Sequence, residues 1–197
     1  MSDTANTVPA GTPRRSRRTL WLLIALCVAP VAASYLLYYF LPPTHTVNYG
    51  DLLAAAPLPD SPLARTDGAP FRLSSRRGKW VLAMLDSAQC DDRCQKTLLY
   101  MRQLRLTQGK DMDRVERVWL VTDDGPLRAG LDAYAGTYFL RAGGTPLAAS
   151  FAATDVPAGH IYVIDPHGNL VMRFPRDPDT RRMVKDLARL LKASRIG

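Results

Sequence analysis

The hydropathy pattern opens on one uninterrupted apolar run, Leu20 to Leu41, LWLLIALCVAPVAASYLLYYFL, 22 residues without a charge. As a helix rising about 1.5 Å per residue it would span roughly 33 Å, enough to cross a bilayer core. Pro30 at mid-span predicts a kink of a kind that membrane helices tolerate. Trp21 near one end and Tyr35, Tyr38 and Tyr39 near the other match the aromatic belts of membrane interfaces. A cleaved signal peptide ending near Ala32-Ala33-Ser34 is a rival reading, but its apolar core would be long and the run continues to Leu41. Ser16-Arg17-Arg18 also hints at a twin-arginine export signal, without the fuller motif. An uncleaved anchor over 20–41 accounts best for the pattern.

After the anchor, Pro42-Pro43 and a Pro- and Ala-rich stretch to residue 62 predict a stiff tether. The remaining residues, 63–197, about 135 in number, suffice for one respectable core. Within them Phe71-Arg-Leu73 alternates like a short strand after the turn Thr66-Asp-Gly-Ala69. Trp80-Val-Leu-Ala-Met-Leu85 and Arg117-Val-Trp-Leu-Val-Thr122 are short apolar runs, the signature of strands buried on both faces. Between them a helix is predicted to open over Ser87–Cys94 and to run to about Thr107. A second helix is predicted around Leu127–Ala135, then a weak strand over Thr137–Leu140 that Gly143-Gly144 ends. His160–Ile164, the turn Asp165-Pro-His-Gly168 and Asn169–Phe174 read as strand, tight turn, strand. A last helix follows, with Asp177 as N-cap and Pro178 at its first position. Its Met183, Val184, Leu187, Leu190 and Leu191 share one face. The order β-β-α-β-α-β-β-α, with one parallel pair and a terminal hairpin, predicts an α/β fold with helices on both faces of a sheet.

Charge fixes the expected orientation. The chain has 26 Lys+Arg against 18 Asp+Glu, a net charge of +8. Arg14, Arg15, Arg17 and Arg18 precede the apolar run, and residues 1–19 carry a net +3. By the positive-inside rule this N-terminus is cytoplasmic and the domain lies across the membrane. In a Gram-negative bacterium that means the inner membrane and the periplasm, where disulfides persist. The remaining positive charge is scattered, with no basic stripe interleaved with aromatics, which argues against a nucleic-acid partner. Three cysteines are too few for a disulfide-built mini-scaffold or a four-cysteine zinc or iron–sulfur site.

Two of those cysteines carry the candidate chemistry. Cys90 and Cys94 follow a predicted buried strand and stand at i and i+4 of a predicted helix start. That spacing places both on one face, Cα atoms about 6 Å apart, within disulfide range. Free N–H groups at a helix start stabilise a thiolate, the nucleophile and the soft-metal ligand; Arg93 helps and Asp91 and Asp92 oppose. A static disulfide, or two core cysteines that happen to be neighbours, is the bland alternative. Cys27, inside the apolar run, is most simply a small apolar residue.

Gly68-x4-Leu73-x4-Gly78-Lys79-Trp-Val-Leu, a cysteine pair opening a helix and Ile-Tyr-Val-Ile-Asp-Pro-His-Gly, in that order, resemble the thioredoxin superfamily over roughly 60–193. The CxxxC spacing and the membrane anchor further resemble the Sco/SenC cytochrome oxidase assembly factors. That resemblance implies a thioredoxin-like sheet flanked by helices and a copper site of two cysteines and a distal histidine. The implied task is copper delivery to cytochrome c oxidase or keeping the thiols there reduced, so the implied partners are an oxidase subunit or another periplasmic thiol or copper protein. The chain departs from that pattern at three places. Gln95 stands where the family usually has proline, Pro157 where it has the distal histidine, and Gly159 where thiol oxidoreductases have cis-proline.

Cu(I) favours sulfur ligands, and an imidazole can complete a trigonal site. His160 is the best-placed third ligand, against an equal reading as a strand-end histidine bonded to backbone. His167 belongs to the hairpin turn, His45 lies beside the membrane, and Met84 and Met172 read as core. No phosphate loop, HExxH or GxSxG motif is present. The expectation is therefore a CxxxC pair working by thiol–disulfide exchange or by holding Cu(I). A general thiol oxidoreductase and a scaffold with a static disulfide stand as alternatives.

Overall fold

The structure, a computed structural model, describes residues 17–40, 48–152 and 158–194. Arg14, Arg15, Pro42, Pro43, His45 and Pro157 fall outside the described residues. The chain divides into two units, Met1–Thr46 and Val47–Gly197.

In the first unit, helix α1 (Arg17–Phe40) contains Pro30, and at 24 residues with a mean hydropathy of 2.3 it is long and apolar enough to cross a membrane. It contains residues 20–40 of the apolar run read from the sequence, and Leu41 lies outside the described residues.

The second unit is built on an eight-stranded sheet ordered β1-β8-β7-β4-β5-β6-β2-β3. The strands are β1 (Asp51–Pro57), β2 (Leu63–Arg65), β3 (Pro70–Phe71), β4 (Trp80–Asp86), β5 (Val115–Val121), β6 (Thr137–Arg141), β7 (Ile161–Ile164) and β8 (Asn169–Phe174). β4, β5 and β6 run parallel and every other pairing is antiparallel. The helices are α2 (Asp92–Leu106), α3 (Pro146–Ala152) and α4 (Thr180–Ala193).

Strand alternation sorts the core into two layers. On one face Leu82, Met84, Trp119, Val163, Met172 and Phe174 meet Leu98 and Met101 of α2 and Met183 and Leu187 of α4. On the other, Val81, Ala83, Val118, Leu120, Tyr162 and Ile164 meet Leu147 and Phe151 of α3. Both faces of the central strands are therefore buried, as their continuous apolar runs required.

Four expectations need correction. Residues 51–57, placed in the tether by composition, form β1, which pairs with β8 from Asp51↔Arg173 to Pro57↔Asn169. Its Leu-Leu-Ala-Ala-Ala core lacks β-branched residues, so only the long-range partner makes it a strand. The helix expected at 127–135 is a single 3-10 turn, Leu131–Tyr134, because Gly130 (φ 85°) and Gly136 (φ 80°) bracket it in left-handed backbone. The last helix is capped by Asp179, whose side chain accepts from the N–H groups of Arg181 and Arg182, and not by Asp177. Asp177 takes φ 47° and pairs with Lys96 at 2.7 Å instead. Helix α3 was not expected at all.

Candidate functional site

Strand β4 ends at Asp86, and the chain crosses to α2 through residues 87–91. Asp91 caps the helix, its Oδ1 accepting from the Cys94 N–H at 2.9 Å. Cys94 thus lies in the first turn, as expected, but Cys90 lies just before the cap. Cys90 adopts φ 38°, rare for a residue with a Cβ, and its N–H donates to the Ser87 carbonyl at 3.2 Å. This tight turn folds Cys90 back over the helix start, and the two cysteines form a disulfide with Cα atoms 5.0 Å apart. Both are fully buried, in one cluster with Met84, Ala88 and Leu98.

The segment between β5 and β6 covers the pair. Asp123 Oδ2 accepts from the Ala88 N–H at 3.0 Å, and the Arg128 N–H donates to the Ala88 carbonyl at 3.2 Å. The Arg128 guanidinium donates to the Cys90 carbonyl at 3.2 Å and lies 3.7 Å from the Asp92 carboxylate. With its amide oxygen turned toward that guanidinium, Gln95 accepts at 2.9 Å. Tyr134 Oη donates to the Gln95 carbonyl at 3.2 Å. Arg128, Tyr134 and Asp123 escaped the sequence reading, since they meet the cysteines only through the fold; Gly125 and the Asp123-Asp124 pair marked the place as a turn and no more.

Asp86 is the other group that sequence reading missed. Burial pushes its carboxyl above the usual carboxylate range, Asp91 pushes the same way, and the Ser87 N–H and Arg93 oppose them. Its Oδ1 accepts from the Ser87 N–H at 2.8 Å, while Oδ2 is buried without a partner. A raised folded-state pKa means the folded chain binds this proton more tightly than the unfolded one. The resulting penalty is fully present above the folded pKa and fades as pH falls toward the ordinary Asp value. Asp86→Asn keeps the bond to Ser87 and is expected to raise Tm at pH 7 by about 2 °C, with the gain shrinking in mildly acid buffer. A calorimetric scan at several pH values checks this, and a lower Tm at pH 7 would show that the carboxylate is favourably solvated.

His160 does not join the cysteines. It is buried, and its Nδ1 hydrogen-bonds to the Phe174 carbonyl at 2.8 Å, which makes Nδ1 the protonated nitrogen. Ile161 and Val163 belong to the cysteine-side cluster, whereas the His160 ring lies 6.2 Å from that of Tyr162, which packs in the opposite cluster. The imidazole is thus engaged with β8 through the Phe174 carbonyl and lies beside Tyr162 of β7. Among the described residues no group of three or more His, Cys, Asp or Glu side chains is arranged to hold a metal ion. Gly159 (φ 81°) does approach the site, with room for a Cβ only 3.4 Å from Arg93 Cδ. His167 is exposed in the hairpin turn, and Met84 and Met172 are fully buried core.

Comparison with known proteins places this geometry. Solved structures share the fold at low identity. A copper-bound ScoI from Bradyrhizobium japonicum is 22% identical, with a TM-score of 0.51 over 68% of this chain and 99% of its own. Copper-bound yeast Sco1 is 16% identical, with a TM-score of 0.56 over 76% and 96%. The thioredoxin domain of a thiol–disulfide oxidoreductase from Bacteroides vulgatus is 19% identical, with a TM-score of 0.52 over 71% and 99%. No curated protein sequence matches the chain. The model of the transmembrane-like, thioredoxin-like C-terminal domain matches residues 80–194, from the first residue of β4 to the C-cap of α4, and the chain belongs to that family.

Proposed function

We propose that this chain is a membrane-anchored thiol–disulfide exchange protein that acts on a thiol partner during assembly of cytochrome c oxidase, with Cys90 and Cys94 as the working pair. The observation that carries the reading is the disulfide itself, set between a buried strand and a capped helix start. In the reduced state the Cys90 thiolate attacks a partner's disulfide, a mixed disulfide forms and one partner thiolate leaves. The Cys94 thiolate then attacks Cys90 Sγ, the second partner thiolate leaves, and Cys90–Cys94 is oxidised as the partner is reduced by two electrons. A dithiol donor must reduce the pair again. The positive charge before α1 supports an inner-membrane orientation with residues 1–19 cytoplasmic, 20–41 spanning and the domain periplasmic. Position 47, where the second unit begins, fits the domain start better than 63.

Copper delivery fits less well. The Sco structures named above hold copper, but the donors gathered here are two sulfurs, the His160 Nδ1 is bonded to the Phe174 carbonyl, and the described residues contain no group of three ligating side chains. An anaerobic Cu(I) competition titration on the reduced full chain in detergent tests this directly. The expected result is no binding beyond that of the Cys90→Ser/Cys94→Ser chain. Tight one-to-one binding abolished by Cys90→Ser overturns the exchange reading in favour of a copper carrier.

Complete burial of both cysteines favours a second reading, a static disulfide. The reduction potential separates the two: an exchange pair lies above about −300 mV, a structural disulfide below it.

A further inference from the structure

We propose that residues 124–135, between β5 and β6, are a lid that must open before any partner sulfur reaches Cys90–Cys94. This rests on the exchange reading above and adds the regulation of that site. Leu127 and Leu131 form the underside, packed into the cluster that contains both cysteines, while Arg128, Ala129 and Gly130 face solvent. The latch is small. It consists of Arg128 on the Ala88 and Cys90 carbonyls and Tyr134 Oη on the Gln95 carbonyl. Apart from the 3-10 turn Leu131–Tyr134, the segment belongs to no helix or strand, so its opening does not require breaking the sheet.

The hinges are equally well defined. At the first, Asp123 Oδ1 accepts from the Gly125 N–H at 2.8 Å, and its Oδ2 holds Ala88. At the second, Gly136 takes φ 80°, and the buried Arg117 donates from Nη2 to the Ala135 carbonyl at 2.7 Å. Arg117 Nε and Nη1 are buried with no partner. Closure rests on the apolar contacts of Leu127 and Leu131 and on the few hydrogen bonds of the latch.

The test follows reduction of Cys90–Cys94 in the full chain in detergent by excess dithiothreitol, with thiols counted by alkylation and mass spectrometry. Arg128→Ala with Tyr134→Phe removes the side-chain bonds of the latch, to the Cys90 and Gln95 carbonyls, while leaving the backbone bond of residue 128 to Ala88, every strand and both cysteines in place. The double variant is expected to be reduced about tenfold faster than the parent, and Tyr134→Phe alone by less. A circular-dichroism melt confirms that the variants are folded. Equal rates in folded parent and variants overturn the lid, whatever the potential of the pair. Failure of the exchange reading looks different: the variants are still reduced faster, but the potential of the pair falls in the range of structural disulfides.

Discussion

Replacing Cys94 with serine is expected to abolish exchange, to cost about 3–5 kcal/mol of stability and to leave a chain that traps its partner. The stability loss has two sources. The disulfide closes a loop of five residues, for which the chain-entropy relation gives about 2 kcal/mol. The serine hydroxyl then enters a fully buried apolar cluster beside Met84 and Leu98, where an unsatisfied polar group costs about 1–3 kcal/mol. The trap follows from chemistry. Cys90 retains its thiol and can form a mixed disulfide, but the residue that would release it is gone. Cys90→Ser should lose a similar amount of stability yet trap nothing, because Cys94 sits inside the capped turn. Urea unfolding gives the stability of each variant, and mass spectrometry after incubation with an aromatic disulfide counts the adducts. Greater trapping by Cys90→Ser would reverse the roles of the two sulfurs. A static disulfide predicts the same loss of stability and no adduct from either.

The features legible in the sequence are those written locally. The apolar runs of β4 and β5, the Asp-Pro-His-Gly turn of the β7–β8 hairpin and the i, i+3, i+4 stripe of α4 each declare themselves within a dozen residues. So does the pairing of Cys90 with Cys94, since a spacing of four leaves little choice of distance. What failed depends on contacts distant in the chain. β1 becomes a strand through β8, more than a hundred residues away. The lid is invisible because Arg128 finds the Cys90 carbonyl only after β4 and β5 pair in parallel and bring both loops to the same end of the sheet. His160 shows the limit of counting. Proximity along the chain to the strand beside β4 said nothing about the ring's partner, which is the Phe174 carbonyl of β8. The local pattern Asp177-Pro178 pointed to the wrong cap. The choice fell to Asp179 in a fold where Asp177 pairs with Lys96 of α2 and the Tyr49 hydroxyl accepts from the Asp179 N–H.

That last contact belongs to a larger attachment, which leads to the second large expected effect. Asp186 of α4 is 2% exposed, and its Oδ2 accepts from the backbone N–H groups of Tyr49 at 2.6 Å and Gly50 at 2.9 Å. Arg189 approaches Oδ1 at 3.3 Å. The Arg182 guanidinium lies 4.3 Å over the Tyr49 ring, a cation–π contact on the same short segment. Gly50 is pressed so closely on Met172 that a Cβ would meet its Sδ at 2.8 Å, so no side chain substitutes there without displacing the core. One carboxylate therefore fixes the point where the chain enters the domain, immediately before β1. Asp186→Ala leaves two backbone donors without their acceptor, and losing one partner of a buried charged network costs about 3–5 kcal/mol. Because β1 is an edge strand whose other contacts are mostly exposed, the loss should concentrate there. Hydrogen exchange by mass spectrometry is expected to show protection lost over residues 49–57 while β4 and β5 keep theirs. Asp186→Asn, which retains an oxygen acceptor, should lose less. Uniform loss across the sheet would make Asp186 a general support of the core, and unchanged protection of β1 would show that pairing with β8 alone holds the strand.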